Sequence, residues 1–330
     1  MSENLRRLHL AAANPSTPSP GDTGLHNLQP ALTLGTVQLG KPYGIANTNG
    51  QPSRSKALEI LSRAWQAGVR SFDTAPNYGD SETILKTFLQ GRSEQDFFIT
   101  TKIGTMPKDP EAQGLDLREM VIRSARQSAS DLGLAVLPGL ILQYAPDAAR
   151  YPELLPALIA AKEAGLAREV GFSAYFPQDA ERLLEHPELS IIQLPLNLFD
   201  HRFVQNDLLP RLKGRGVKVF VRSVFLQGLF FLPPQGLPPN LQPAAAHLQR
   251  LRALSRELDR EMDDLALAFV RSLPGIFSLV LGLETSAQLA RNLELMSTPP
   301  LPPEVVDEIL SIFKDVSEDI INPINWNTWK

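Results

Sequence analysis

The sequence of 330 residues contains no cysteine, which removes disulfides, thiolate metal ligands and thiol nucleophiles together. Its five histidines are scattered and never fall at a spacing such as HxxxH, so no metal site is expected from them. No stretch approaches the roughly 20 apolar residues that a membrane-spanning helix needs. Basic residues are not in excess: Lys+Arg 32 against Asp+Glu 36 leaves a net charge of −4, which supplies no global attraction for nucleic acid or anionic lipid. The opening segment MSENLRRLHLAAANPSTPSPGDTG lacks the apolar core of a secretory signal, and its Ser, Pro and Gly content reads as a flexible tail over residues 1–30. These absences predict a cytoplasmic protein with neither nucleic acid nor membrane as a partner, and they leave its oligomeric state open.

What is present is an ordinary globular composition, 43% hydrophobic and 21% charged, sufficient for a sizeable core. From residue 31 onward short apolar runs alternate with helical patterns. The runs predict strands over 32–36, 71–73, 97–102, 140–144, 169–172, 191–194, 217–221 and 279–281. Helices are predicted over 53–67, 81–89, 116–132, 152–164, 177–185, 207–214, 263–272 and 286–296. Ser53 and Asp116 stand where N-caps belong, and Gly68, Gly133, Gly165 and Gly216 follow helical stretches as left-handed closures. Eight regular alternations predict an α/β fold of the closed (β/α)8 TIM-barrel type, with 31–330 as a single domain. Two segments break the rhythm. The apolar, proline-rich stretch FLQGLFFLPPQGLPPNLQP at 225–243, followed by an extra helix near 244–261, belongs where a barrel builds its substrate pocket; a closing helix is predicted near 303–316.

Barrel chemistry sits where strands stop, and three polar residues stop runs here: Asp73 in SFDTAPNYGDSE, Tyr78 five residues later, and Lys102 in FFITTK. A phenol with a reference pKa near ~10 needs a neighbouring cation to stabilise its anion. Lys102 can be that cation, Asp73 can hold the amine charged, and Tyr78 can then act as a general acid. Singly, each could instead be a turn residue, a solvated strand end or a packing ring.

In this order and spacing the chain resembles the aldo-keto reductase superfamily. FDTAPNYGDSE and FITTK carry the likeness first, followed by GFSAYFPQDAERL, IIQLPLNLFDHR, LALAFVRSLPG and GLETSAQLARN. The resemblance implies a barrel oxidoreductase that uses NADP(H) or NAD(H) without a Rossmann domain, acting on an aldehyde, ketone or sugar-like carbonyl; consistently, the chain has no GxGxxG. It further implies that Ser173 and Gln193 hold the nicotinamide carboxamide, although Ala174 follows Ser173 where asparagine is usual. Arg222 occupies the place of an aromatic ring that stacks on nicotinamide, and Ser223, Phe225 and Gln227 fall at pyrophosphate positions. Thr36 and Gly282, at the ends of the first and last strands, join the cofactor set, as do Gln288 and Asn292 at the adenosine-phosphate segment. NADP(H) is the family expectation, with NAD(H) the alternative because Leu283 and Glu284 replace hydroxyl residues near the 2′-phosphate position. The fourth member of the catalytic tetrad departs most: LILQYAPD puts Tyr144 where the family has histidine, and strand alternation could present Gln143 in its stead. These departures leave two other readings beside carbonyl reduction, a weakly active cofactor-binding regulatory module and an epimerase working through a transient ketone.

Overall fold

A computed structural model describes residues 31–107 and 116–326; the tail expected over residues 1–30 lies outside the described residues. Eight parallel strands close into a barrel in chain order. They are β1 (Ala31–Gly35), β2 (Ser71–Asp73), β3 (Phe98–Ile103), β4 (Leu137–Leu142), β5 (Ala167–Ser173), β6 (Ile191–Pro195), β7 (Lys218–Arg222) and β8 (Ser278–Gly282). The β1–β8 pairing, with Thr33 opposite Val280 and Gly35 opposite Gly282, closes the ring.

Two sets of side chains fill the molecule. Inside the barrel, Ile141, Ile191 and Phe220 form their own cluster with Phe98 and Val280 against it, and the rings of Phe98 and Phe220 stack at 6.0 Å. These five come from five different strands, as expected when inward positions interdigitate in layers. In the middle of β1, Thr33 bonds Ser71 Oγ at 2.8 Å and Ser278 Oγ at 2.6 Å, so polar partners there satisfy one another. The larger core lies between strands and helices and holds the apolar faces of the surrounding helices.

Local chemistry explains the helix limits. The Ser53 side chain accepts from Lys56 N–H, and the Asp116 side chain accepts from Arg118 and Glu119 N–H. Gly133 closes its helix at φ 69°. The fourth unit departs from its expected limits. β4 runs over Leu137–Leu142 because its pairing with β5 ends at Leu142 opposite Phe172; Tyr144 lies beyond it, in a turn leading into a helix at Pro146–Arg150. The helix expected over 152–164 is therefore preceded by this separate short one and itself spans Leu154–Glu163. The extra helix after β7 covers Ala244–Glu257 and stops short of 261, with Asp259 at φ 50° before the next helix starts at Met262. The 225–243 loop is partly ordered by 3-10 turns at Leu226–Phe231 and Pro239–Leu241. Among the described residues no helix is long and apolar enough to cross a membrane, and no group of three or more His, Asp or Glu could hold a metal ion.

Candidate active site

The carboxyl ends of the strands surround a cavity of about 810 Å³. Asp73, the last residue of β2, lies at its floor with Lys102 of β3, whose ammonium is 2.7 Å from Asp73 Oδ1 and 2.8 Å from Thr74 O. The Lys102 side chain is 2% exposed, so the pair is a desolvated one whose cost is offset only by these contacts. Gln193 of β6 donates its amide to the same Asp73 oxygen at 2.7 Å. One carboxylate thus orients both a cation and an amide. Burial lowers the Lys102 pKa, and the charge and hydrogen bond of Asp73 oppose that shift.

Tyr78 stands above this pair with the Lys102 ammonium 4.8 Å from its ring centre. Its loop is clamped to the loop after β1 by two glycines. A β-carbon on Gly40 would lie 1.7 Å from Tyr78 O, and one on Gly79, which has φ 59°, would lie 2.1 Å from Gly40 O. Burial chiefly, with the Asp73 charge second, raises the Tyr78 pKa well above the usual phenol value, so the phenol keeps its proton at neutral pH.

The remaining residues singled out from the sequence fall into two groups along the cavity. Ser173, Arg222, Ser223, Phe225 and Gln227 line its middle, and Gly282, Gln288 and Asn292 line the far end. Arg222 is fixed by Nη2 to Ala174 O at 3.0 Å and Nε to Ser173 Oγ at 3.3 Å, with its guanidinium 4.5 Å from the centre of the Tyr175 ring. Two residues are not at the cavity. Thr36 is fully buried and donates to Asp73 O at 2.8 Å, bracing the β2 loop from behind, which corrects its assignment to the cofactor set. Tyr144 is not among the lining residues and packs its ring 4.8 Å from that of Tyr175, whereas Gln143 lines the cavity. Burial raises the pKa of Tyr144.

Sequence reasoning passed over the loop after β1, VQLGKPYGIANTNG, which contributes Gln38, Lys41, Tyr43 and Asn47 to the lining. The signal was position alone: in a barrel every strand-to-helix loop opens on this face. It also passed over Asp263 and Arg291 at the far end, where two bonds of 2.8 and 3.1 Å join them.

The lining suits a dinucleotide. The buried side-chain carbonyl oxygens of Gln38, Gln143 and Gln227 have no hydrogen-bond partner, an expense that a bound polar ligand would remove. Ser223, Leu226 and Gln227 hold φ of 61°, 45° and 53°, a run of left-handed backbone on one loop of the kind that collects at ligand sites. Gly282 leaves room that Gln38 fills, since a β-carbon there would lie 2.4 Å from Gln38 Oε1.

The model of the Aldo/keto reductase family matches residues 31–314. The chain is 27% identical over 304 residues to D-threo-aldose 1-dehydrogenase of a Pseudomonas species, covering 80% of this chain and 88% of that one. It is 24% identical over 324 residues to L-galactose dehydrogenase of Arabidopsis thaliana, covering 94% and 95% respectively. Among solved structures, the holo form of an aldo-keto reductase from Bacillus halodurans shares its fold, with TM-score 0.70 and 22% identity over 91% of this chain and 98% of that one.

Proposed function

The chain belongs to the aldo/keto reductase family, and on that premise we propose that it moves a hydride reversibly between a nicotinamide dinucleotide and a carbonyl carbon, with Tyr78 exchanging the proton. The observation that carries this reading is the desolvated Asp73–Lys102 pair beneath the Tyr78 ring. The nicotinamide supplies or accepts the hydride. In reduction the Tyr78 hydroxyl donates to the carbonyl oxygen and releases its proton as that oxygen gains charge, leaving a phenolate that the Lys102 cation stabilises. Asp73 keeps Lys102 charged against its burial, and Gln143, from the position of the family's histidine, donates the second hydrogen bond to the carbonyl. Ser173 and Gln193 would hold the carboxamide, Arg222 would brace the nicotinamide face, and Ser223, Phe225 and Gln227 would accommodate the pyrophosphate. Gly282, Gln288 and Asn292 would meet the adenosine end.

Charges at that end favour NAD(H) over the NADP(H) expected from family resemblance alone. Arg291 is held by Asp263 on one side and by Glu294 at 3.1 Å on the other, so its charge is already matched. Glu284 lines the cavity with its carboxylate 2.9 Å from the Gln288 amide. A 2′-phosphate would meet this carboxylate, whereas ribose hydroxyls could donate to it.

The test is Tyr78→Phe in the purified protein. Cofactor affinity, followed by quenching of protein fluorescence, stays within about twofold, and turnover of an aldehyde falls by the ~10²–10⁴ typical of a lost acid catalyst. Unchanged turnover would remove Tyr78 from the reaction.

A further inference from the structure

Seven charged side chains line the cavity, and they are unevenly matched. Asp73 pairs with Lys102 at 2.7 Å and Asp263 with Arg291 at 2.8 Å, while Glu284 is bonded to Gln288. That leaves Lys41 and Arg222. Among the described residues Arg222 reaches only neutral acceptors, the carbonyl of Ala174 and the hydroxyls of Ser173 and Ser223. The Lys41 ammonium bonds only the carbonyl of Asn77, at 2.8 Å, and among the described residues no carboxylate lies within ion-pair distance of it. Of the two unmatched cations Lys41 stands beside Tyr78, and among the described residues Glu284 is the one lining carboxylate without a cation.

Lys41 is also placed differently from every residue assigned to the cofactor. It comes from the loop after β1, touches the Tyr78 loop through Asn77, and has its ammonium 5.8 Å from the Tyr78 ring centre. The residues that would receive the pyrophosphate come from the loops after β7 and β8. Gly40, the neighbour of Lys41, is the residue locked against Tyr78 O, so the backbone from which Lys41 springs is held beside the Tyr78 loop. Lys41 is half-buried, and the cavity there is lined by other polar groups, so an ammonium without a counter-ion is an electrostatic invitation.

We propose that the substrate carries an anionic group, a carboxylate or a phosphate, in addition to its reacting carbonyl, and that Lys41 binds this group and so sets substrate specificity. This rests on the reading of Tyr78 as the proton donor beside which the carbonyl lies. A charge-assisted hydrogen bond of this kind is worth about a tenfold preference or more in kcat/KM.

Two matched pairs of aldehydes test it. Succinic semialdehyde against butanal isolates a carboxylate, and glycolaldehyde phosphate against glycolaldehyde isolates a phosphate; whichever anion is preferred identifies the source. In the native protein the anionic member of at least one pair is favoured by about tenfold or more in kcat/KM. Lys41→Gln abolishes that preference by raising KM for the anion, with the neutral aldehyde and cofactor affinity little changed, and Lys41→Arg retains the preference. Equal use of both members of both pairs by the native protein overturns the proposal. So does a Lys41→Gln protein that loses activity equally on both, or that binds cofactor less well. If the native protein reduces none of the four with either cofactor, the proposed reaction fails instead. Calorimetry of benzoate and benzyl phosphate binding to the cofactor-loaded native and Lys41→Gln proteins then decides Lys41 by itself: weaker binding of at least one anion to the variant supports its role, and equal binding of both overturns it.

Discussion

Gly40 and Tyr78 are in contact through backbone alone, the α-carbon of the first lying so close to the carbonyl of the second that a β-carbon would sit 1.7 Å from the oxygen. No rotamer can relieve such an overlap, because the obstacle is main chain. Gly40→Ala therefore pushes the Tyr78 loop away from Lys102. The fold, built on distant strand pairings, survives with a loss of about 1–3 kcal/mol, read from urea unfolding. The kcat for an aldehyde falls by about tenfold to a hundredfold, as expected for a displacement of roughly 1 Å at a reacting group. Retained kcat in the alanine variant would show that the clamp does not position the phenol.

Gln143 lines the cavity and its neighbour Tyr144 does not. Gln143→Leu removes the amide from the cavity and lowers kcat/KM by about tenfold or more, the range for a lost hydrogen bond to a developing charge. Tyr144→Phe deletes a hydroxyl outside the cavity and leaves kcat/KM within about twofold. Steady-state kinetics on one aldehyde distinguish them, and the reverse pattern would restore Tyr144 to the site.

Glu284 supplies the prediction for the cofactor. Glu284→Gln removes a like charge from the place where a 2′-phosphate would lie, and keeps the side-chain size. The ratio of NADPH to NADH affinity rises by about tenfold, the order expected for a partly exposed charge. Fluorescence titration with both reduced cofactors measures it, and an unchanged ratio means that Glu284 does not face the ribose.

The pH dependence follows from the proton that Tyr78 holds. Its pKa is raised, so the protonated phenol that reduction requires is fully present below the ordinary phenol value of ~10 and is lost only as pH rises beyond that. Reduction kcat/KM is flat through neutrality and declines only at strongly alkaline pH, whereas alcohol oxidation, which needs the phenolate, climbs with pH. Profiles in both directions check this, and a reduction rate falling between pH 6 and 8 would point to a different acid.

What the sequence determined by itself is the order of the eight strand and helix units, because period-two and period-3.6 patterns with their caps at Ser53, Asp116 and Gly133 are written in neighbouring residues. The strand end at Asp73 was legible for the same reason, since it is where an apolar run stops; β3 runs one residue past the expected end at Lys102, to Ile103, and β7 one past 221, to Arg222. The tertiary structure decided which side chains face the cavity. β4 stops at Leu142 because its partner β5 stops pairing there, so Gln143 and not Tyr144 remains inward. Thr36 is turned under the Asp73 carbonyl by a contact 37 residues away in the chain. Lys41 acquires its place only when two glycine-bearing loops meet. Such outcomes depend on contacts between segments far apart in sequence, and no local pattern carries them.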